Sequence, residues 1–303
     1  MTVRTLSLRW IERTGGGAFA DVWRGASLND GKEYAVKFLR EPCTPVTLRR
    51  FRREGDVMVR LTHPNLVRCF GIFEFVGQNG GRVPGLVMEY QPGKSLSDKL
   101  KIGRPSTSQT IRWAREVLRG LQAAHEAGFI HRDINPNNIV LDRQGTAKIV
   151  DFGLAKILSL GGDGLTIGPV GTPGYIAPEL LDESRTADAR SDIYSVGVML
   201  YFMLTGRLLQ FEGGRIVPPS RFNHAINKDL DRIVLQMIAT EPGARTQSAA
   251  AADAVLHPLF TLYDKWERQQ ARLAMESFRE GLAMVATVAL CVGLVVLFSK
   301  EAA

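Results

Sequence analysis

The segment His131-Arg132-Asp133-Ile134-Asn135-Pro136-Asn137-Asn138 is followed, after a short apolar run, by Asp151-Phe152-Gly153. The apolar residues between the two segments predict a tight β-hairpin. Asp133 is a candidate general base, and Asn138 and Asp151 offer the oxygen ligands that magnesium prefers. Because the hairpin would bring these three side chains together, the stretch predicts both a local fold and its chemistry.

The composition indicates an ordinary folded protein. The chain has 303 residues, 45% of them hydrophobic and 23% charged, which suits one large domain or two modest ones. The net charge of +7 includes arginines spread along the whole chain, so we expect no nucleic-acid partner. The cysteines Cys43, Cys69 and Cys291 are far apart and lack metal-binding spacing, which favours reduced thiols.

The first ninety residues predict strands and one helix, and helices follow. A glycine run, Gly15-Gly16-Gly17, separates the first two predicted strands, and glycines there let backbone N–H groups approach an anionic ligand closely. Lys37 lies on a third predicted strand, 33–39. Glu54 follows 17 residues later on a predicted helix, 47–61, and could pair with Lys37. A solvated lysine and an exposed carboxylate are the alternatives for these two side chains.

The C-terminal part predicts a membrane anchor. Residues 281–298 are 18 in a row without a charge, long enough to cross the hydrocarbon core of a bilayer. A buried C-terminal helix is the alternative, but Thr287 is the one polar side chain that the segment offers. Residues 263–280 predict a charged juxtamembrane helix, and 299–303 a short tail.

The charges beside the predicted span indicate its orientation. Cations are more frequent before the span than after it, which places the folded domain in the cytoplasm and the protein at the cell membrane as a single-pass protein. The four before it are Lys265, Arg268, Arg272 and Arg279, against Lys300 after it. Ala289 and Gly293 form a small-xxx-small pair that could pack two spans into a homodimer.

Eight motifs occur in a fixed order between about residues 7 and 260. They are GGGAFADV, YAVK, HPNLV, VMEY, HRDINPNN, DFG, GTPGYIAPE and SDIYSVG. With them the chain resembles the protein kinase superfamily, and in particular the bacterial eukaryotic-like Ser/Thr kinases. The resemblance implies an α+β, bilobal fold with a β-rich N-lobe at 1–90 and a mainly helical C-lobe at 91–262. Its substrates would be ATP and protein Ser/Thr hydroxyls.

The resemblance also implies a role for each motif residue. Asp133 would be the catalytic base, Asn138 and Asp151 would hold Mg2+ (or Mn2+), and Lys37, pinned by Glu54, would reach the α and β phosphates. ATP contacts fall on Gly15, Gly17, Val22, Ala35, Lys37, Glu89 and Gln91.

Further residues would support the site. Thr172 would lie close to Asp133, and Asp192 would hold the catalytic loop from below. Glu179 would pair with Arg245 in a buried structural ion pair. The candidates for phosphorylation of the protein's own activation loop are Thr166 and Ser159.

Two positions depart from the family pattern. Asn135 replaces the lysine that would neutralise charge on the γ-phosphate, and Ala20 replaces the third glycine of the loop. Asparagine at the catalytic position can donate a hydrogen bond but brings no charge, so we expect a reduced rate. The leading interpretation is an active Ser/Thr kinase. The alternative is a weakly active or inactive pseudokinase that acts as a nucleotide-binding membrane scaffold. A third possibility, a small-molecule kinase of similar fold, is disfavoured by the segments Gly171-Thr172-Pro173 and Ala177-Pro178-Glu179.

Overall fold

The computed structural model describes residues 6–16, 20–40, 44–77, 80–151, 172–181 and 187–301. At 47, 50, 53, 54 and 280–301 it describes the backbone alone.

The N-lobe is an antiparallel five-stranded sheet in the order β1-β2-β3-β5-β4. The helix α1, Pro45–Met58, connects β3 to β4. The third strand has the predicted bounds, but the first continues into the glycine run as far as Gly16. Register shifts after Trp10 and after Arg13 accompany this extension. The strands are β1 Leu8–Gly16, β2 Ala20–Ser27, β3 Glu33–Leu39, β4 Cys69–Val76 and β5 Arg82–Glu89.

The two faces of this sheet are covered differently. One face packs on α1 and joins the main core through residues such as Leu86 and Met88. On the other face, Val36, Phe75 and Val87 form a separate small core. Trp10 covers it, with its ring 5.5 Å from that of Phe75. The alternation of side chains along each strand therefore leaves one face to form the wall of the interlobe cleft.

The C-lobe is mainly helical. Its central helices α3 and α4 are buried along most of their length, and Gly206, with φ 72°, ends α4 in the left-handed region that favours glycine. The predicted hairpin between the two opening motifs is confirmed as β6, Ile139–Leu141, and β7, Ala147–Ile149. The helices are α2 Leu96–Ile102, α3 Thr107–Glu126, α4 Ala189–Thr205, α5 Lys228–Met237 and α6 Ala249–Glu301. A small hairpin, β8 Phe211–Glu212 and β9 Arg215–Ile216, stands between α4 and α5.

The last helix, α6, is continuous over 53 residues and passes through Pro258. It packs on α3, where Arg115 pairs with Asp253 at 2.7 Å. Further along, the backbone N–H of Ser108 donates to the carboxylate of Glu267 at 3.0 Å. No break in the helix marks the predicted boundaries at 263 and 281, because the charged residues between them favour a helix as much as their apolar neighbours do.

The predicted membrane span lies outside the part of the chain whose side chains are described. Within that part, none of the helices combines the length and the apolar character needed to cross a bilayer. The span at 281–298 stays a prediction.

Candidate active site

Asp133 receives hydrogen bonds on both of its carboxylate oxygens. The amide nitrogen of Asn138 donates to Oδ2 at 3.0 Å. The backbone N–H of Thr172 donates to Oδ1 at 3.1 Å, and its hydroxyl lies 3.3 Å from the same oxygen. These bonds fix the orientation of the carboxylate, and the expected proximity of Thr172 to Asp133 is confirmed.

Asn135 uses its side chain within the catalytic loop. It is 1% exposed. Its amide nitrogen donates to the carbonyl of Asp133 at 3.0 Å, and its Oδ1 accepts from the N–H of Asn137 at 2.9 Å. The second bond caps the short 3-10 helix Pro136–Asn138. Asn135 therefore positions the backbone of Asp133, and a bond from Asn135 to a phosphate stays a prediction. The sequence signal for this role is the pair Asn135-Pro136, because asparagine is a favoured cap residue and proline suits the first helical position.

Asp192 holds the start of the catalytic loop. It is fully buried, and its two oxygens accept from the backbone N–H groups of His131 at 2.8 Å and Arg132 at 2.7 Å. The Nε2 atom of His125, near the end of α3, lies 2.8 Å from the same carboxylate. Arg132 has φ 63°, which no other non-glycine residue of the described chain approaches. Such strained backbone persists only where its surroundings hold it, and the support expected from Asp192 is confirmed.

Lys37 and Asp151 pair across the cleft. The ammonium nitrogen of Lys37, on β3, lies 2.5 Å from Oδ1 of Asp151, just after β7. The Lys37 side chain is 5% exposed, whereas that of Asp151 is 38% exposed. The side chain of Glu54 lies outside the described residues, so its pairing with Lys37 stays a prediction. Sequence reasoning placed both Lys37 and Asp151 in the site but did not predict that they touch.

The sheet face that carries Lys37 also carries two apolar residues predicted to contact ATP, Val22 and Ala35. Val22 pairs with Lys37 between β2 and β3, and Ala35 pairs with Met88 between β3 and β5. Directly opposed residues share a face and side chains alternate along a strand, so these four side chains lie on one wall. Glu89 ends β5, and its backbone N–H donates to Arg68 at 2.8 Å.

The other predicted nucleotide contacts are only partly described. Gly15 lies at the end of β1, paired with Val22. Gln91 is partly buried and lies two residues after the end of β5. Gly17 lies outside the described residues, as do the candidate phosphosites Ser159 and Thr166.

The donor set suits a magnesium ion. The amide nitrogen of Asn138 is used by Asp133, and within the described residues no donor bonds to its side-chain oxygen. Asp151 keeps one oxygen beyond the one that meets Lys37. Two hard oxygen ligands, completed by phosphate oxygens and water, match the usual way in which proteins hold magnesium beside a nucleotide.

The C-lobe also contains a buried ion pair. Arg245 and Glu179 meet in two hydrogen bonds of 2.6 Å each, and the expected pairing is confirmed. The remaining donors of the guanidinium bond to backbone carbonyls, and Ser191 donates to Glu179 at 2.7 Å. Burial alone would raise the pKa of Glu179, but the bonds from Arg245 and Ser191 lower it overall.

The two lobes and the loop geometry define a fold of the bilobal kinase class. The profile of the protein kinase domain family matches residues 8–260. The chain therefore belongs to the protein kinase family.

The relatives of the chain include bacterial serine/threonine kinases. The chain is 37% identical over 262 residues to a probable serine/threonine-protein kinase of Corynebacterium efficiens, a match that covers 79% of this chain and 39% of the relative. It is 34% identical over 255 residues to serine/threonine-protein kinase PknB of Mycolicibacterium smegmatis, with 79% and 40% covered. The chain thus spans about two fifths of the length of these curated relatives.

A solved structure shares the fold. The PknI kinase domain of Mycobacterium tuberculosis matches with a TM-score of 0.65 at 22% identity, over 84% of this chain and 97% of that one.

Proposed function

We propose that this protein is a serine/threonine protein kinase that transfers the γ-phosphate of ATP to hydroxyl groups of proteins, including its own activation loop. Residues 281–298 anchor it in the membrane, with the kinase domain in the cytoplasm. The observation that carries the proposal is the carboxylate of Asp133, fixed between the amide of Asn138 and the main chain of Thr172. Membership of the kinase family and the names of the relatives support the same activity.

Each side chain of the site has a task in this reaction. Asp133 orients the acceptor hydroxyl and takes its proton, since a base must lie within hydrogen-bond reach of the proton that it removes. Lys37 neutralises charge on the phosphates, for which it exchanges its present contact with Asp151. Asn138 and Asp151 would hold magnesium, which supplies further neutralisation of the phosphate charge.

The test of catalysis uses the purified protein with magnesium, ATP labelled at the γ-phosphate and a generic basic protein. We expect label on both the substrate and the protein itself. Asp133→Ala and Asp151→Ala should each retain roughly one hundredth of the activity or less. Label in neither place, with nucleotide binding intact in the unmodified protein, would contradict the proposal.

That negative result would favour a second candidate function, the pseudokinase scaffold. The observation behind it is Asn135, which brings no charge to the catalytic loop. Its side-chain amide is engaged in hydrogen bonds within that loop. Nucleotide binding without transfer, measured by the thermal shift that ATP causes, is the expected outcome for that candidate.

The sites of self-modification need a separate experiment. Mass spectrometry of protein incubated with ATP should find phosphate on Thr166 or Ser159. Asp133→Ala incubated in the same way is the control. Phosphate on the control would mean that another enzyme had modified the protein.

The membrane anchor is tested by fractionation. Full-length protein should sediment with membranes and stay there after an alkaline wash, while a chain ending at residue 280 should be released. Full-length protein in the supernatant would contradict the proposed membrane anchor and leave the kinase proposal intact.

A further inference from the structure

A cavity of about 660 Å³ lies on the C-lobe away from the active site. It is bounded by the end of α2, the start of α3 and the turn that joins β6 to β7. None of the four residues Lys37, Asp133, Asn138 and Asp151 lines it. It is a cleft partly open to solvent, and its volume falls in the range typical of ligand-binding pockets.

The lining of this cavity is strongly cationic. Five lysine and arginine side chains accompany a single carboxylate, that of Asp142, so the formal charge is five minus one, or +4. The carboxylate is engaged in the turn, because its Oδ1 accepts the N–H groups of Gln144 and Thr146 at 2.9 Å each. The cations are Lys94, Lys99, Arg104, Arg112 and Arg143.

Two of these cations are held by the protein and three are not. Arg112 pairs with Glu116 at 2.9 Å, and Arg104 donates to the carbonyl of Thr205 at 2.8 Å. The other three come from three separate places in the fold: the segment before α2, α2 itself and the β6–β7 turn. No carboxylate of the described chain pairs with them. They are Lys94, Lys99 and Arg143.

An orphaned donor lies in the same lining. The amide nitrogen of Gln109, in the first turn of α3, is enclosed and has no acceptor within the described residues. Buried polar groups are normally hydrogen-bonded, but the same enclosure separates this nitrogen from a ligand in the cavity, so it takes no part in recognition.

The cations of the lining select the chemistry of the ligand. Cations on three elements suit a ligand whose negative charges are spread along a chain. Ile102 and Pro105 add apolar surface. Trp113 is the one aromatic residue of the lining and is 4% exposed, so it offers no ring face for a nucleotide base.

We propose that this cavity docks an acidic segment of a protein substrate, an inference that rests on the proposed kinase function. Charge complementarity carries it, because a segment of Glu or Asp residues with an apolar side chain meets each feature of the lining. Docking outside the active site lowers the KM of substrates that carry such a segment, since it raises their concentration near Asp133.

Direct binding tests the cavity without any catalysis. The full-length protein is titrated against a fluorescein-labelled peptide of glutamates and leucines, and the Kd is measured by fluorescence anisotropy. The double variant Lys99→Glu/Arg143→Glu should weaken binding roughly tenfold or more.

The matched control is Lys228→Glu/Arg232→Glu, which makes the same change of net charge on α5, outside the cavity. We expect it to leave the Kd unchanged. An equal loss in the control, or no loss in the cavity variant, would overturn the docking proposal. Displacement of the peptide by ATP or inorganic phosphate at a concentration equal to that of the peptide would also overturn it, because the site would then bind a small anion.

Kinetics separates this proposal from the proposed function. A peptide substrate carrying the acidic segment should have a lower KM than the same peptide without it, and Lys99→Glu/Arg143→Glu should abolish that advantage. Cavity-dependent binding without phosphate transfer would support the docking proposal and contradict the proposed kinase activity. Transfer without cavity-dependent binding would do the reverse.

Discussion

Arg245–Glu179 and Lys37–Asp151 both join segments far apart in the sequence, but they differ in exposure and in their other partners. The first pair is 0% and 2% exposed, and the donors of Arg245 are all engaged by Glu179 or by backbone carbonyls. In the second pair Asp151 is 38% exposed, and a single hydrogen bond joins it to Lys37.

The difference shows how one kind of interaction serves two purposes. The Arg245–Glu179 pair is a saturated pair, in which every donor of the guanidinium is bonded and water is excluded. Removing one partner therefore leaves an unpaired buried charge. A pair at the edge of a cleft can exchange partners, because water and phosphate reach it. We therefore expect the first pair to hold the fold and the second to be reserved for the reaction.

The largest effect on stability should come from Arg245→Met. It leaves Glu179 charged and buried without its partner, so the free energy of unfolding should fall by roughly 3–5 kcal/mol. Urea denaturation measures this. Arg232→Met, in an exposed pair 3.1 Å from Asp229, is the control and should change little. A similarly small loss of unfolding free energy in both variants would mean that burial does not make one pair more important for stability than the other.

Lys37→Met should do the opposite, with a large effect on activity and a small one on stability. We expect kcat/KM to fall roughly a hundredfold or more, because an electrostatic partner of the phosphates is lost. Asp151 remains accessible to water, so the urea midpoint should stay close to that of the unmodified protein. Lys32→Met, on an exposed turn, is the control. A loss of stability as large as that of Arg245→Met would erase the distinction between the two pairs.

Acid should weaken the saturated pair. Folding lowers the pKa of Glu179 below its usual 4.5, so between the two pKa values the unfolded chain binds more protons and stability rises with pH. The contribution is therefore complete above about pH 4.5 and is lost as the pH falls through the lowered pKa of the folded state. The Tm measured against pH should show this fall, and Arg245→Met should flatten it. An unchanged slope in the variant would assign the acid sensitivity to other carboxylates.

The smallest expected effect is that of Asn135→Lys. A lysine restores a cation beside the phosphates, so the rate of transfer should rise several-fold, while loss of the cap on Pro136–Asn138 should lower stability by roughly 1 kcal/mol. Asn135→Ala loses the cap without adding a charge, so it should show the same loss of stability without the gain in rate. Equal rates for the two variants would show that charge at this position does not limit catalysis.

Much of the fold and site could be predicted because their signals are local. The hairpin between Asn138 and Asp151 follows from a short apolar run between turn residues, and β3 follows from its β-branched and aromatic residues. Asp192, Glu179 and Arg245 were placed by the family resemblance, and the structure confirms their contacts.

The remainder depends on contacts that carry no local signal. The Lys37–Asp151 bond spans 114 residues and depends on how the two lobes close. The burial of Asn135 depends on loop backbone that only the folded lobe fixes. The cationic cavity is assembled from residues between 94 and 145 that share no motif. Glu267 meets Ser108 across 159 residues, which neither neighbourhood indicates.

The continuity of α6 has a geometric consequence. Its 53 residues extend about 80 Å, and the contacts of Asp253 and Glu267 with α3 fix the direction in which it leaves the lobe. Each residue advances a helix by about 100°, so the far end has a set angular phase relative to the catalytic cleft. One residue inserted after Glu267 would rotate everything beyond it by that angle, whereas seven would return it to within about 20°. The length of this helix therefore sets the direction in which the active site faces relative to the far end of α6.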